Sequence, residues 1–172
     1  MTDERIGDAL LPTLERLPRG SGVIFRHYAT APAERRRLFE TVRAVTRRRR
    51  ITLLLAGTPR EAIAWRADGA HGRSAQMRAA RLLIRTAPAH GRREVIAARR
   101  AKADLILLSP VFATRSHPGG KSLGPIRFGL AIPGSGAIVA LGGMNARRFQ
   151  RLRAFGAYGW AAIDALAGPI RI

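Results

Sequence analysis

Short apolar runs alternate along the chain with longer stretches in which apolar residues recur every three or four positions. Val23 to Arg26, Ile51 to Ala56, Asp68 to Ala70, Leu82 to Arg85, Leu105 to Leu108, Ile138 to Leu141 and Tyr158 to Ala161 read as short strands. Between most of them lie helical stretches. Pro32 to Arg48 places Leu38, Val42 and Val45 on one face, and Asn145 to Phe155 turns Phe149 and Leu152 inward. A further helix is expected over Gln76 to Arg81. Near-continuous apolar strands, each followed by a helix, specify a parallel sheet covered on both faces. Seven such units favour closure into a TIM-type β/α barrel over an open doubly wound sheet. The length of 172 residues, 47% of them hydrophobic, suits a single domain over residues 1–172.

Two of the strands end in breaks rich in Gly and Pro: Asp104-Leu-Ile-Leu-Leu-Ser109-Pro-Val-Phe-Ala-Thr114 and Ala137-Ile-Val-Ala-Leu141-Gly-Gly-Met-Asn145. A strand that ends in small residues and opens into a helix delivers backbone amides to a phosphate. The chain is therefore expected to hold a phosphorylated small molecule. A β/α barrel keeps its chemistry at the carboxyl ends of its strands. His27, His71, His90 and His117 each follow an expected strand, so all four should rim that mouth. They could serve as phosphate donors or as acid/base groups. No pair has the close helical spacing of common zinc sites.

Carboxylates are scarce by comparison. Asp68 and Asp104 begin strands, which puts them at the foot of the barrel in structural roles. Glu15, Glu34, Glu40 and Glu61 fall on helical stretches and are expected to face solvent. Asp3 or Glu4, Asp164 and Glu94 are left near the mouth. A magnesium site that bridges phosphate oxygens wants one or two carboxylates there, so it is poorly supplied.

A formal charge of +20 and a pI near 12.0 raise nucleic acid as a partner. The arginines are instead scattered along helical faces from Arg35 to Arg153, without interleaved aromatics, and Lys102 and Lys121 are the only lysines. The dense run Arg47 to Arg50 sits where a helix should end, a position the macrodipole favours for cations. No specific nucleic-acid partner is expected. The absence of cysteine excludes disulfides, thiolate metal sites and a cysteine nucleophile, and fits a reducing cytosol. No apolar stretch approaches the roughly twenty residues of a membrane span, and Met1-Thr-Asp-Glu-Arg5 lacks the order of a signal peptide. A cytoplasmic protein without a membrane partner is the expectation.

Taken in order, Thr2-Asp3, Gly22-Val-Ile-Phe-Arg26, Ala67-Asp-Gly-Ala-His71, His90 with Glu94, Ala103-Asp104 leading to Pro110-Val-Phe-x-Thr114, Ala140-Leu-Gly-Gly143 and Gly156-Ala157 form a pattern. It resembles the thiamine-phosphate synthase and TenI family over essentially the whole chain. The resemblance implies a β/α barrel acting in thiamine biosynthesis. In the synthase, an aminopyrimidine diphosphate and a thiazole phosphate condense to thiamine phosphate with loss of diphosphate, and Mg²⁺ is required. The transition state is carbocation-like, so diphosphate departure is the step that needs electrostatic help.

By the same resemblance, Arg26 matches the arginine that contacts the departing diphosphate, with Ile24 and Tyr28 at the flanking glutamine and lysine positions. The Asn-Asp pair whose second member helps bind magnesium corresponds to Ala56 and Gly57, and the other metal-binding aspartate to Gln76. In the loop that grips thiazole phosphate, Thr114 fits, Ser116 stands for a threonine and His117 for a lysine. Gly142 and Gly143 offer backbone amides. Asp164 replaces a serine and would repel a phosphate unless protonated or turned away. Expected catalytic residues are thus Arg26, His90 and His117. Expected substrate- or phosphate-binding residues are Arg26, His71, Thr114, Ser116, His117, Gly142 and Gly143, with no metal-ligand set.

Three readings follow. The first is a synthase-like enzyme whose diphosphate site is arginine-assisted, with Arg26, Arg73 and Arg85 near the mouth. The second is a TenI-like protein that binds a thiazole phosphate or acts as a tautomerase, although the catalytic histidine of such tautomerases aligns with Pro110. The third is a basic polyanion-binding domain. In the family the Thr-Asp pair follows the first strand. Thr2-Asp3 therefore implies a barrel lacking most of that strand, or a native start upstream of Met1. A homo-oligomer is left open.

Overall fold

The computed structural model describes residues 1–73, 82–114, 121–132, 134 and 137–163. Among these, seven strands pair in parallel in sequential order: β1 Gly22–Phe25, β2 Thr52–Ala56, β3 Gly69–His71, β4 Ile84–Ala89, β5 Leu105–Leu108, β6 Ile138–Leu141 and β7 Gly159–Ala161. Helices α1 Leu10–Arg16, α2 Pro32–Arg49, α3 Pro59–Ala64, α4 Arg92–Arg100, α5 Gly124–Ala131 and α6 Ala146–Arg153 lie along the chain around them. This is the parallel β/α architecture that the alternating pattern predicts.

Closure of the sheet involves the start of the chain. The Met1 amino group donates to the Ala162 carbonyl, 2.8 Å, just past β7. The Thr2 amide donates to the Ile24 carbonyl of β1, 2.9 Å. Residues 1–2 thus lie between the two outer strands. The Met1 side chain packs on an inner cluster of Ile24, Leu54, Ala56 and Leu107, together with Val139, Leu141 and Ala161. Alternate residues of the same strands point outward. Val23, Phe25, Leu53 and Leu55 join Leu10, Leu14, Phe39 and Val42 in one outer cluster. Ile106, Leu108, Ile138 and Ala140 join Val95, Phe128 and Leu152 in the other. Burial on both faces is why these strands read as unbroken apolar runs.

Local signals set the helix ends. Pro32 opens α2, and its last turn carries Arg47, Arg48 and Arg49 before Arg50 stops it in the left-handed conformation. The arginine run is a helix terminus, as its position predicts. Thr58 caps α3 in a reciprocal capping box with Glu61, and the Asn145 side chain caps α6.

β1 is shifted one residue back to Gly22–Phe25, which puts Arg26 just past its end, and two further strands depart from expectation. β3 is shifted by one residue to Gly69–His71, and β4 spans Ile84–Ala89 rather than Leu82 to Arg85. Leu82 is 97% exposed and takes no part in the sheet. The helix expected over residues 76–81 lies outside the described residues. No helix among the described residues is long and apolar enough to cross a membrane.

Candidate functional site

The carboxyl ends of the strands surround a cavity of about 890 Å³. Its floor is the inner cluster, reached through Met1, Leu107 and Leu141. One wall is built by the two breaks singled out in the sequence. Gly142 and Gly143 have φ of +91° and +59°, which non-glycine residues rarely adopt. Sterics demand glycine there as well. A Cβ on Gly142 would lie 2.8 Å from Pro110 Cα, and one on Gly143 would collide with the Ala113 carbonyl oxygen. The Phe112 amide donates to the Gly142 carbonyl at 3.1 Å, locking the two breaks together. The amides of Gly143 and Met144 find no acceptor among the described residues.

The turn leads directly into α6. Its cap is completed by the Arg148 amide, which donates to Asn145 Oδ1 at 2.9 Å. The Arg148 guanidinium lies 4.8 Å over the Phe112 ring and donates to the Gly143 carbonyl. Glycine amides, a helix N-terminus and a cation therefore line the same wall as Thr114 and Lys121, a combination suited to a phosphate dianion. Ser116 and His117, expected on this wall, lie outside the described residues.

The β1 side supplies a further cation. Arg26 follows β1, lines the cavity and stacks 5.6 Å from the Tyr28 ring. Its main chain is held at both ends. The amide donates to Thr2 Oγ1 at 3.1 Å, and the carbonyl accepts from Arg35 Nη2 at 3.1 Å. Asp3 lies on the same rim, where the hydrogen bond from Arg5 holds its carboxyl below the usual range.

An adjoining cavity of about 420 Å³ shares Tyr28, His71 and Pro88 with the first. It is completed by Gly57, Thr58, Glu61, Gly72 and Arg73. Glu61 stays partly exposed, as its helical position suggests, and also lines this cavity. Its carboxylate turns back to accept from the Thr58 amide and hydroxyl, both 2.8 Å, and these bonds hold its pKa below the usual range. Glu61 Oε2 would lie 3.0 Å from a Cβ on Gly57. The missed signal was Thr58-Pro-Arg-Glu61, a capping-box spacing that returns the fourth side chain to the helix start.

The histidines divide. His71 lines both cavities and is buried. Thr86 Oγ1 donates to the Ala70 carbonyl and sits 2.9 Å from His71 Nδ1. Nδ1 and this hydroxyl therefore share a hydrogen bond. His90 stands at the rim, with Nδ1 2.9 Å and its amide 2.8 Å from Glu94 Oε2. His27 does not join them, contrary to expectation. Its φ of +33° turns it back, and the ring stacks on Phe25 at 4.6 Å while Nδ1 shares a 3.0 Å hydrogen bond with the Thr2 hydroxyl. It is a buried wall residue.

Arg85 is also displaced from its expected place. Because β4 begins at Ile84, Arg85 lies at the foot of the barrel, where its amide and guanidinium donate to Asp104 at 2.7 and 3.2 Å. Asp68 accepts there from the Leu53 amide at 2.8 Å, so both strand-start aspartates are structural as expected. Among the described residues no three His, Asp or Glu side chains converge to hold a metal. Gln76 and Asp164 lie outside the described residues.

Burial first, then the charges of Arg26 and the amino terminus, push the His71 imidazole down to about 4. Between that value and the ordinary 6.5 the unfolded chain binds a proton that the folded chain excludes. His71 therefore supports folding at neutral pH, and this support drains away as pH falls from 6.5 through about 4, by up to about 3 kcal/mol. Urea unfolding across that window should show the loss in the wild type and a flatter profile in His71→Asn. An identical slope in the variant would contradict the assignment.

Comparison with known proteins fits this geometry. The sequence profile of a family described as thiamine monophosphate synthase matches residues 1–166. A protein of Aquifex aeolicus (strain VF5) named "Putative thiamine-phosphate synthase 2" is 31% identical, over 94% of this chain and 91% of that protein. A thiamine phosphate pyrophosphorylase from Pyrococcus furiosus superposes with a TM-score of 0.81 at 22% identity, covering 98% of this chain and 86% of that one. Another from Bacteroides thetaiotaomicron gives 0.59 at 17%, covering 94% and 79%. At these identities the two structures speak to the fold.

Proposed function

Because the chain belongs to the thiamine monophosphate synthase family and is a thiamine-biosynthesis protein resembling that synthase, we propose that it joins an aminopyrimidine diphosphate to a thiazole phosphate. The observation that carries this reading is one mouth with two cationic walls. The Gly142-Gly143 turn with Arg148 faces the cavity on one side, and Arg26 lines it from β1.

The chemistry then divides among named groups. The Gly143 and Met144 amides and Thr114 hold the thiazole phosphate, presenting its ring nitrogen to the cavity. Arg26 meets the diphosphate and stabilises the charge that grows as the carbon–oxygen bond to the pyrimidine methylene breaks. The electron pair of that bond leaves with diphosphate, and the thiazole nitrogen lone pair forms the new carbon–nitrogen bond. His71, buried and held neutral, lines both cavities as a binding group. His90, oriented by Glu94, stands at the rim and is within the same cavity.

Magnesium is typical of this family, and when bound it supplies charge to the departing diphosphate. Among the described residues the donor set does not fit a protein-built magnesium site: Gly57 has no side chain, Glu61 is committed to Thr58 and Asp3 to Arg5. Arg26 and, from the smaller cavity, Arg73 supply the positive charge in this account. The same Gly57 favours a second reading, a thiazole-phosphate-binding or tautomerase protein without synthase chemistry.

Thiamine phosphate formation from the two purified substrates, with and without magnesium, separates the two readings. Product in either condition supports the synthase. A folded protein that binds thiazole phosphate yet forms no product in both conditions overturns it in favour of the second.

A further inference from the structure

The β1–β2 ladder ends at the pair Phe25 and Leu55. One residue further on, the two strands diverge, β1 into the Arg26-His27 turn and β2 into Gly57-Thr58, and both segments line the mouth through Arg26, Gly57 and Thr58. The carbonyls at the point of divergence are not left as loose ends. Arg35 Nη2 donates to both, at 3.1 Å to Arg26 and 2.9 Å to Ala56, and Nε adds a longer bond of 3.3 Å to Arg26.

The guanidinium is itself fixed. It lies 5.0 Å from the Trp65 ring centre and 5.8 Å from those of Phe25 and Tyr28, contacts that favour a cation over an aromatic face. Its main chain belongs to the first turn of α2, where the Arg35 amide donates to the Ala31 carbonyl at 2.8 Å. Tyr28 lies against both guanidinium groups, Arg35 on one contact and Arg26 on the other. Thr2 holds the Arg26 amide and Arg35 holds its carbonyl, so the residue that precedes the positive-φ His27 is gripped from both sides.

We infer that Arg35 is a positioning residue: its forked guanidinium continues the β1–β2 ladder by one rung and so aims Arg26 at the anion in the mouth. The inference rests on the reading that Arg26 meets the diphosphate. The fork matters because Nε and Nη2 both reach the Arg26 carbonyl while Nη2 also reaches that of Ala56, a planar arrangement that a tetrahedral ammonium does not reproduce. The Gly142-Gly143 wall is built from β6 and the segment after β5, and makes no use of Arg35.

Calorimetric titration of inorganic diphosphate and of thiazole phosphate tests the role. Arg35→Met and Arg35→Lys should each weaken diphosphate binding about tenfold or more, because a displaced contact group loses most of its benefit. Thiazole phosphate affinity should stay within about twofold and also reports that each variant is folded. In an Arg26→Ala background, Arg35→Met should add almost nothing, since it acts through the residue already removed.

Full recovery in Arg35→Lys would show that charge alone suffices and overturn the inference. Independent, additive losses, or equal weakening of both ligands, would overturn it too. Wild-type protein that binds diphosphate while Arg35→Met binds it equally well defeats the inference alone. Wild-type protein that binds no diphosphate defeats the functional reading and this inference with it.

Discussion

Gly143→Val is expected to abolish thiazole phosphate binding, with a loss of about a hundredfold or more, while the diphosphate side stays intact. Three effects act together. The φ of +59° is costly for any L side chain, by about 1–2 kcal/mol, and more for a β-branched one. The new Cβ collides with the Ala113 carbonyl oxygen and lies 3.0 Å from Phe112 Cβ. Arg148 Nη1, at 3.1 Å, is the far end of a flexible side chain and can move, but the Ala113 backbone cannot yield without dragging the segment that bears Thr114. Relief therefore comes only from opening the cradle itself. Titration of thiazole phosphate measures the effect, and Gly22→Ala, where a Cβ meets nothing within 4 Å, is the control that should leave affinity unchanged. Undiminished binding by Gly143→Val would mean that the turn carries the chain and holds no ligand.

Arg26→Ala should do the converse. Removing a charge-assisted contact of about 1.5–3 kcal/mol weakens diphosphate binding some ten- to a hundredfold and lowers kcat/KM at least as much. Thiazole phosphate affinity should be retained, because the Gly142-Gly143 wall and Arg148 do not depend on Arg26. The main-chain bonds of residue 26 to Thr2 and Arg35 survive the substitution, so stability should change little. The comparison is made by titrating each ligand into the same preparation. Equal loss of both would contradict the division of labour between the two walls.

How far the sequence revealed this arrangement depends on how strongly each segment was patterned. Leu105–Leu108 and Ile138–Leu141 appear with the boundaries their apolar runs predict, because burial on both faces leaves no ambiguity. β4 was harder. Its true residues, Ile84-Arg-Thr-Ala-Pro-Ala89, lack an apolar run, whereas the exposed Leu82 looks like a strand opener. The carboxyl end of β4 lies at Ala89, four residues beyond the expected Arg85, which is why Arg85 stands at the foot and not at the mouth.

The cradle was legible because small residues after a strand have few other uses, and Gly142 and Gly143 sit where sterics demand them. His27 was misplaced because no sequence pattern announces a positive φ at a histidine. Glu61 and Arg35 escaped for a different reason. Both lie in the first turn of a helix, and which way such a side chain turns depends on partners brought from elsewhere: Thr58 for one, and the carbonyls of Arg26 and Ala56 for the other.

The proposed condensation requires two phosphate subsites facing one cavity, and simultaneous occupancy tests that most directly. Inorganic diphosphate should be titrated into protein already saturated with thiazole phosphate, and then the order reversed. The expected result is one equivalent of each bound at once, with neither displacing the other. Mutual displacement, with one ligand binding only as the other leaves, would show a single anion site and contradict the proposed condensation.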